Sequence, residues 1–394
     1  MEKHMTKLLA TLLAAIMLLP ATVQAAPADG WTDEAEQAYQ TVTQLVIQRV
    51  SESKDYLATA TQEENAKAVY ALWISGADVP DGFYDDYLRA LANWMDIAAK
   101  RGKAGYVPGA VRTVAAMGLD VADFAGHDLL AAMQRPELVD ADEDRLDMLM
   151  DLDAAGDAGK TDEFNALRET LITEALARQQ SSGEFRYTSK WPAELKRKGV
   201  AAEPDRFDYI LLTAKSVQAL APYQSRTDVS AAIDKALNYL SEQQLPSGGF
   251  LRYGDEDVAE DAAVLEMLAA LGISLADERF TKDDRTVLDG MMGWYQSTYA
   301  EQARTPGQGF YRELIGWSYS TGKYFPVGWA ITSWGTMDDP DDPDEHVKER
   351  IYINETAFPG LAQLRVMLQA APVVGGSITA PTGSVGDAGG ELDY

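Results

Sequence analysis

The sequence predicts an all-α fold, an α/α toroid of about six helical hairpins closed into a ring, and three observations lead there. The first is a helix–turn–helix between Asp228 and Ser274 whose halves differ in kind. In its first half Ile233, Ala236, Leu237 and Leu240 recur at i, i+3, i+4 and i+7. Asp234, Lys235, Asn238 and Glu242 take the other side, which leaves one apolar face. In its second half Glu266 is the single polar residue from Ala262 to Leu271, so that helix is expected to be buried nearly all round. The second observation is recurrence. Gln244-Leu-Pro-Ser-Gly248-Gly-Phe250 is matched by Gln179-Gln-Ser-Ser-Gly183-Glu-Phe185, both Q-x3-G-x-F, and self-similarity over a few tens of residues marks repeat architectures. The third is a pair of orphans. A helix at 33–56 has no partner before it and one at 356–368 has none after it, so pairing the two closes the circle.

The repeated connector has a physical logic. Glycine lets the chain reverse after an outer helix, the aromatic pins the turn to the next helix, and the Gln amide can bond freed backbone groups. Q-x3-G-x-F resembles the second half of the QW motif of the squalene-cyclase and prenyltransferase repeats, with Phe in place of Trp. The run from Tyr209 to Ser274 is similar to the toroid of bacterial secreted surface proteins related to the cobalamin carriers intrinsic factor and transcobalamin. Ala219-Leu-Ala-Pro-Tyr223, Asp228-Val, Ala232-Ile-Asp-Lys-Ala-Leu237 and Gly248-Gly-Phe250 carry that likeness, and a weaker one extends from about Glu64 to Met367. The resemblance implies the fold. A cobalamin-type ligand enters only by the same analogy, because the superfamily holds cyclases, transferases, carriers and inert domains.

In chain order, Lys3 and Lys7 precede an apolar run from Leu8 to Leu19, closed by Pro20 and followed by Val23-Gln24-Ala25. This reads as a secretory signal peptide over 1–25, cleaved after Ala25, and implies a secreted protein. Residues 26–371 are expected to form the toroid domain, with an irregular insert at 311–353. Helices are expected at about 33–56 (capped by Thr32), 64–75, 83–98, 109–117, 127–133, 145–152, 164–180, 207–221, 228–243, 258–271, 284–299 and 356–368. Residues 372–394, rich in Val, Gly, Ser, Thr and Pro without periodicity, read as a disordered tail.

Composition narrows the chemistry. With no cysteine there is no thiol nucleophile, no disulfide and no Cys-ligated zinc, and three histidines leave little for a His-based triad or zinc cluster. A net charge of −28 argues against nucleic acid and anionic membranes as partners, and no segment of the mature chain is apolar enough to span a bilayer.

Three groups of residues are candidates for a site. Asp338, Asp339, Asp341, Asp342 and Asp344 form an acidic run. Asp339, Asp341 and Asp342 fit the D-x-D-D of protonating terpene cyclases. The same stretch also fits the magnesium-holding D-D-x-x-D, although its prolines oppose the helix that motif needs. Its other readings are a solvated acidic loop and an oxygen-ligand calcium site. Trp317, Tyr324, Trp329 and Trp334 lie in the same insert, some spaced by two as on one face of a strand, and could form a platform for a glycan or apolar ligand. The alternative is a flap packed by its own aromatics. Asp208, Glu260 and Glu355 open buried helices and would gather at one rim as ligand contacts, or simply cap those helices. Arg112, on a buried helix, is expected to pair with a carboxylate. The first functional expectation is a non-catalytic module binding a small molecule, a glycan or a cell-surface protein. The alternative is a toroid enzyme: a polysaccharide lyase or hydrolase, or a diverged cyclase. An enzyme requires a sheltered carboxylate or tyrosine with a convergent partner, whereas a scaffold requires a plugged centre with capping acids only.

Overall fold

The computed structural model describes residues 30–56, 59–100, 106–134, 144–187, 209–252, 255–296, 309–310, 312–318, 323–330, 334–339, 342–350 and 353–370. Its helices are α1 (Asp33–Ser53), α2 (Thr59–Ile74), α3 (Phe83–Lys100), α4 (Ala110–Ala116), α5 (Asp144–Ala154), α6 (Asp162–Ala177), α7 (Tyr209–Leu220), α8 (Thr227–Gln243), α9 (Val258–Leu271), α10 (Val287–Met292) and α11 (Ile353–Ala370). Six of them form a closed circuit: α2 packs on α4, α4 on α5, α5 on α7, α7 on α9, α9 on α11, and α11 back on α2. Outside this ring α6 covers α5, α8 covers α7, α10 covers α9, and α1 lies across α11 and α2. The fold is an all-α toroid.

The two orphan helices do seal each other. Tyr39 stacks on Phe358 with ring centroids 5.7 Å apart. The Arg365 guanidinium grips both oxygens of Glu36 at 2.9 and 3.1 Å and lies 4.5 Å over the Tyr39 ring. The Tyr39 hydroxyl donates to Ser75 Oγ at 2.8 Å, tying α1 to the end of α2 as well.

The Q-x3-G-x-F turns repeat atom for atom. Gln179 Nε2 donates to Gly183 O at 3.0 Å and to Ala232 O, in α8, at 2.7 Å. Gln244 Nε2 donates to Gly248 O at 2.8 Å and to Phe280 O, ahead of α10, at 3.0 Å. Each Gln therefore closes its own turn and clasps the segment beyond. Phe185 and Phe250 are fully buried, and their N–H groups donate to Thr213 on α7 and Asp261 on α9.

Some expected elements differ. Of the helix expected over 284–299, the described residues up to 296 are helical at Val287–Met292: Asp283 and Asp284 have left-handed backbone in a turn between two short strands, and Thr286 opens the helix with a capping box, while the Gly248-Gly249 turn rests on Gly290 inside it. After Gly293 the chain leaves as strand Tyr295–Gln296, paired with Gly309–Phe310. The expected helix at 127–133 is reduced to a 3₁₀ turn at Ala131–Gln134, since Phe124 and His127 bond reciprocally and the Asp128 carboxylate takes the N–H of Leu130 and Ala131. The insert is not irregular: Arg312–Ser318 pairs with Lys323–Ala330, and Trp334–Asp339 with Asp342–Arg350, as antiparallel hairpins. The signal-peptide and tail readings fall on residues outside those described. No helix among the described residues is long and apolar enough to cross a membrane.

Gly248 has φ +93°, and a Cβ there would lie 2.1 Å from Thr286 O. Gly248→Ala is therefore expected to destabilise the protein by about 1–3 kcal/mol or more, read as a lowered denaturation midpoint at unchanged m. A midpoint equal to that of wild type would show that the turn is not held by this contact.

Candidate active site

The inner helices are apolar toward the outer layer, yet each described one carries polar side chains toward the centre of the ring. On α2 these are Glu63, Lys67 and Tyr70, at i, i+4 and i+7, and on α5 Asp144, Asp147 and Asp151, at i, i+3 and i+7. Helical spacing stacks each set along one stripe. Lys215 and Gln218 come from α7, Arg112 from α4, Glu266 from α9 and Gln363 from α11.

Asp147 is the hub. One of its oxygens accepts from Arg112 Nη2 at 2.6 Å, and the other from Lys67 Nζ at 3.0 Å and Lys215 Nζ at 2.7 Å. Burial alone would raise this carboxyl, but Lys215, Lys67 and Arg112 outweigh it and hold it well below the usual Asp range. Arg112 thus pairs with a carboxylate, as its place in the sequence suggested. Asp151 accepts from the Tyr106 hydroxyl at 2.7 Å and from the backbone N–H of Gly109 and Arg112 at 2.8 and 3.3 Å, and so caps the start of α4 from across the helix interface.

Two carboxylates beside this hub remain chemically interesting. Glu63 contacts Lys67 Nζ at 2.5 Å. Asp144 opens α5, where burial, reinforced by the negative charge of Glu63, pushes its carboxyl up to about 6. Oxygens of Glu63, Asp144 and Asp147 all lie within 4.8 Å of one another. That spacing would suit a divalent cation, but the three protein cations on Asp147 already neutralise its share of the charge. What remains is an acid held protonated to mildly acidic pH beside a second carboxylate.

Across the ring, Glu266 accepts from Gln363 Nε2 at 2.8 Å and from Gln218 Nε2 at 3.3 Å, and Gln218 also donates to Gln363 at 3.2 Å. Burial raises the Glu266 carboxyl. The centre therefore holds sheltered carboxylates with convergent partners, not capping acids alone.

The residues singled out in the sequence are placed differently. Glu260 is fully buried at the opening of α9, 3.8 Å from Arg252 and six residues before Glu266. Beside it Asp257 does cap α9, accepting from the Ala259 N–H at 2.8 Å. Asp208 lies outside the described residues, and Glu355 falls in the first turn of α11 with its side chain outside them. In the insert Trp317 stands opposite Tyr324 in backbone register, Trp329 opposite Glu313, and Trp334 opposite Arg350. Asp338 faces His346 and Asp339 faces Asp342 across a hairpin, with Asp344 inside its second strand. Asp341 lies outside the described residues. The described residues of the D-D-x-x-D match, Asp338, Asp339 and Asp342, lie in strands rather than on the helix that the magnesium motif uses. The Glu63, Asp144 and Asp147 group was missed. Its only signal was lone charges recurring at helical spacing on otherwise buried helices.

Asp147→Asn leaves three cations around a neutral amide, and is expected to cost about 3–5 kcal/mol. The native carboxyl titrates below its unfolded value. Its contribution is therefore complete above roughly pH 4 and lost as pH falls below that. The wild-type stability curve should drop there more steeply than that of Asp147→Asn; parallel acid limbs in urea melts at several pH values would contradict the hub.

No known protein family matches the sequence, and no curated protein does. Among solved structures, the unsaturated glucuronyl hydrolase of Bacillus sp. GL1, a glycosaminoglycan-degrading enzyme, is similar in fold. It aligns with a TM-score of 0.51 over 84% of this chain and 96% of that one, at 11% identity. At that identity the likeness concerns architecture, and the architecture shared is the α/α toroid.

Proposed function

We propose that this chain is an exported toroid hydrolase that cleaves a glycosidic bond at the mouth of its ring. The observation that carries the reading is the Glu63–Asp144 pair: two carboxylates near the starts of α2 and α5, the inner helices that flank α4, one of them with its affinity for a proton raised to about 6. Glycoside hydrolysis needs such a division of labour, a protonated acid for the leaving oxygen and a carboxylate for water or the sugar. Asp144 is the proton donor. Glu63, set by Lys67, is the carboxylate partner. Asp147 is too firmly held by its three cations to exchange a proton and serves to fix Lys67, Arg112 and Lys215. The fold it shares with a glycosaminoglycan-degrading hydrolase supports this reading over a cobalamin carrier, and the N-terminal apolar segment supports action outside the cytoplasm.

The second reading, a non-catalytic binding module, draws on the ion pairs that cross the lumen between α2, α4, α5 and α7. Turnover separates the two. Oligosaccharides with unsaturated glucuronyl, saturated uronyl or neutral ends are incubated with the protein and new reducing ends are counted. Asp144→Asn and Glu63→Gln should each lower kcat/KM by about 10²–10⁴-fold. The acid must carry its proton to act, so the wild-type rate should fall as pH rises through about 6. Activity that survives the double substitution would remove the pair from the mechanism, and binding without cleavage would favour the module.

A further inference from the structure

A second feature lies on the same rim. Arg145 follows Asp144 on α5 but faces α6, where it borders a groove of about 480 Å³ completed by Glu174, Ala177, Arg178, Gln180 and Arg186. Three arginines and one glutamate line it, a local positive excess in a chain whose net charge is −28. Each is held in place. Arg145 bonds Glu174 at 2.6 Å, Arg186 bonds Glu184 at 2.8 Å and lies 4.6 Å over the Tyr209 ring, and Arg178 lies 5.3 Å over the Tyr187 ring. The Glu184 carboxylate is turned inward, only 4% exposed, whereas the Arg186 side chain is 49% exposed. At Arg186 the positive group faces outward and its counter-charge inward, whereas at Arg145 the partner Glu174 is the more exposed of the two, so Arg178 and Arg186 form the positive side of the groove. Guanidinium planes fixed against aromatic rings keep their donor forks oriented, the arrangement suited to carboxylate or sulfate oxygens.

We propose that this groove is a subsite for an acidic sugar. It takes the carboxylate or sulfate of one residue of a short glycan lying along the rim. On the hydrolase reading, which this deepens, another residue of the same glycan reaches Glu63 and Asp144. The repulsion of the whole chain is screened beyond about 8 Å at physiological salt, so a short oligosaccharide meets the local arginines and a long polyanion meets the acidic surface as well.

Calorimetric titration of the full chain carrying Asp144→Asn tests it, with tetrasaccharides of hyaluronan, of chondroitin sulfate and of neutral chitin as probes. Both acidic probes should bind at least about tenfold more tightly than the neutral one, and Arg178→Gln with Arg186→Gln should remove about that factor. Binding of the acidic probes should weaken as salt is raised. Arg178→Lys, which keeps the charge but loses the fork, serves where the double variant melts early, and should still weaken binding. Equal affinity for neutral and acidic probes, arginine variants that bind as well as the parent, or no binding of any probe would each overturn the subsite. The two readings fail separately: acidic glycans bound but never cleaved by the wild type would sink the hydrolase and leave the subsite standing, while cleavage indifferent to Arg178 and Arg186 would do the reverse.

Discussion

Asp147 concentrates the constraint on which the ring's centre depends. A fully buried carboxylate is costly to desolvate, and it is tolerated here because three cations arrive from three different helices. Lys67 brings α2, Arg112 brings α4 and Lys215 brings α7 onto a charge carried by α5. Four of the six inner helices are thereby fixed in rotation as well as position, since each must point one particular side chain at the same two oxygens. Hydrophobic burial holds the layers together without specifying that rotation. The hub does specify it, and so determines how Glu63 and Asp144 stand to each other.

Much of the architecture was legible because the periodicities were clean. The alternation of one-faced and all-apolar helices, the matched connectors at Gln179 and Gln244, and the closure of the first helix onto the last all follow from local pattern plus the need to cover apolar faces. The elements that misled were governed by turn geometry. Asp284 reads as an ordinary helix opener until its left-handed backbone and the Thr286 capping box behind it are seen. The Phe124–His127 turn is likewise invisible to a count of apolar positions. In the insert, a two-residue spacing of aromatics hinted at strands without specifying which strand meets which.

The site was harder to read than the fold, for a physical reason. A polar residue on a buried helix means nothing alone; its meaning comes from what five other helices place opposite it. Lys67, Asp147 and Lys215 are separated by dozens of residues in the chain and by single hydrogen bonds in the ring. The conspicuous acidic run at Asp338–Asp344 drew attention because it was contiguous. Its described residues lie in the two strands of a hairpin, whereas the charges that meet in the ring are isolated in the sequence. The same contrast weighs between the two functions considered. Burial alone does not single out a catalytic acid here, since Asp151 too is pushed up to about 6 while it caps α4; what sets Asp144 apart is the second carboxylate, Glu63, beside it.

The contact between the first and last helices has a temporal meaning. Tyr39 on α1 is stacked by Phe358 on α11, and Val42 and Val46 are likewise fully buried on that helix. Glu36 and Arg365 stand 329 positions apart, so this contact forms late, after the loop entropy of nearly the whole ring has been met. Until then α1 keeps an apolar face toward its missing mate, and any helper that shields an early helix has a defined moment to let go.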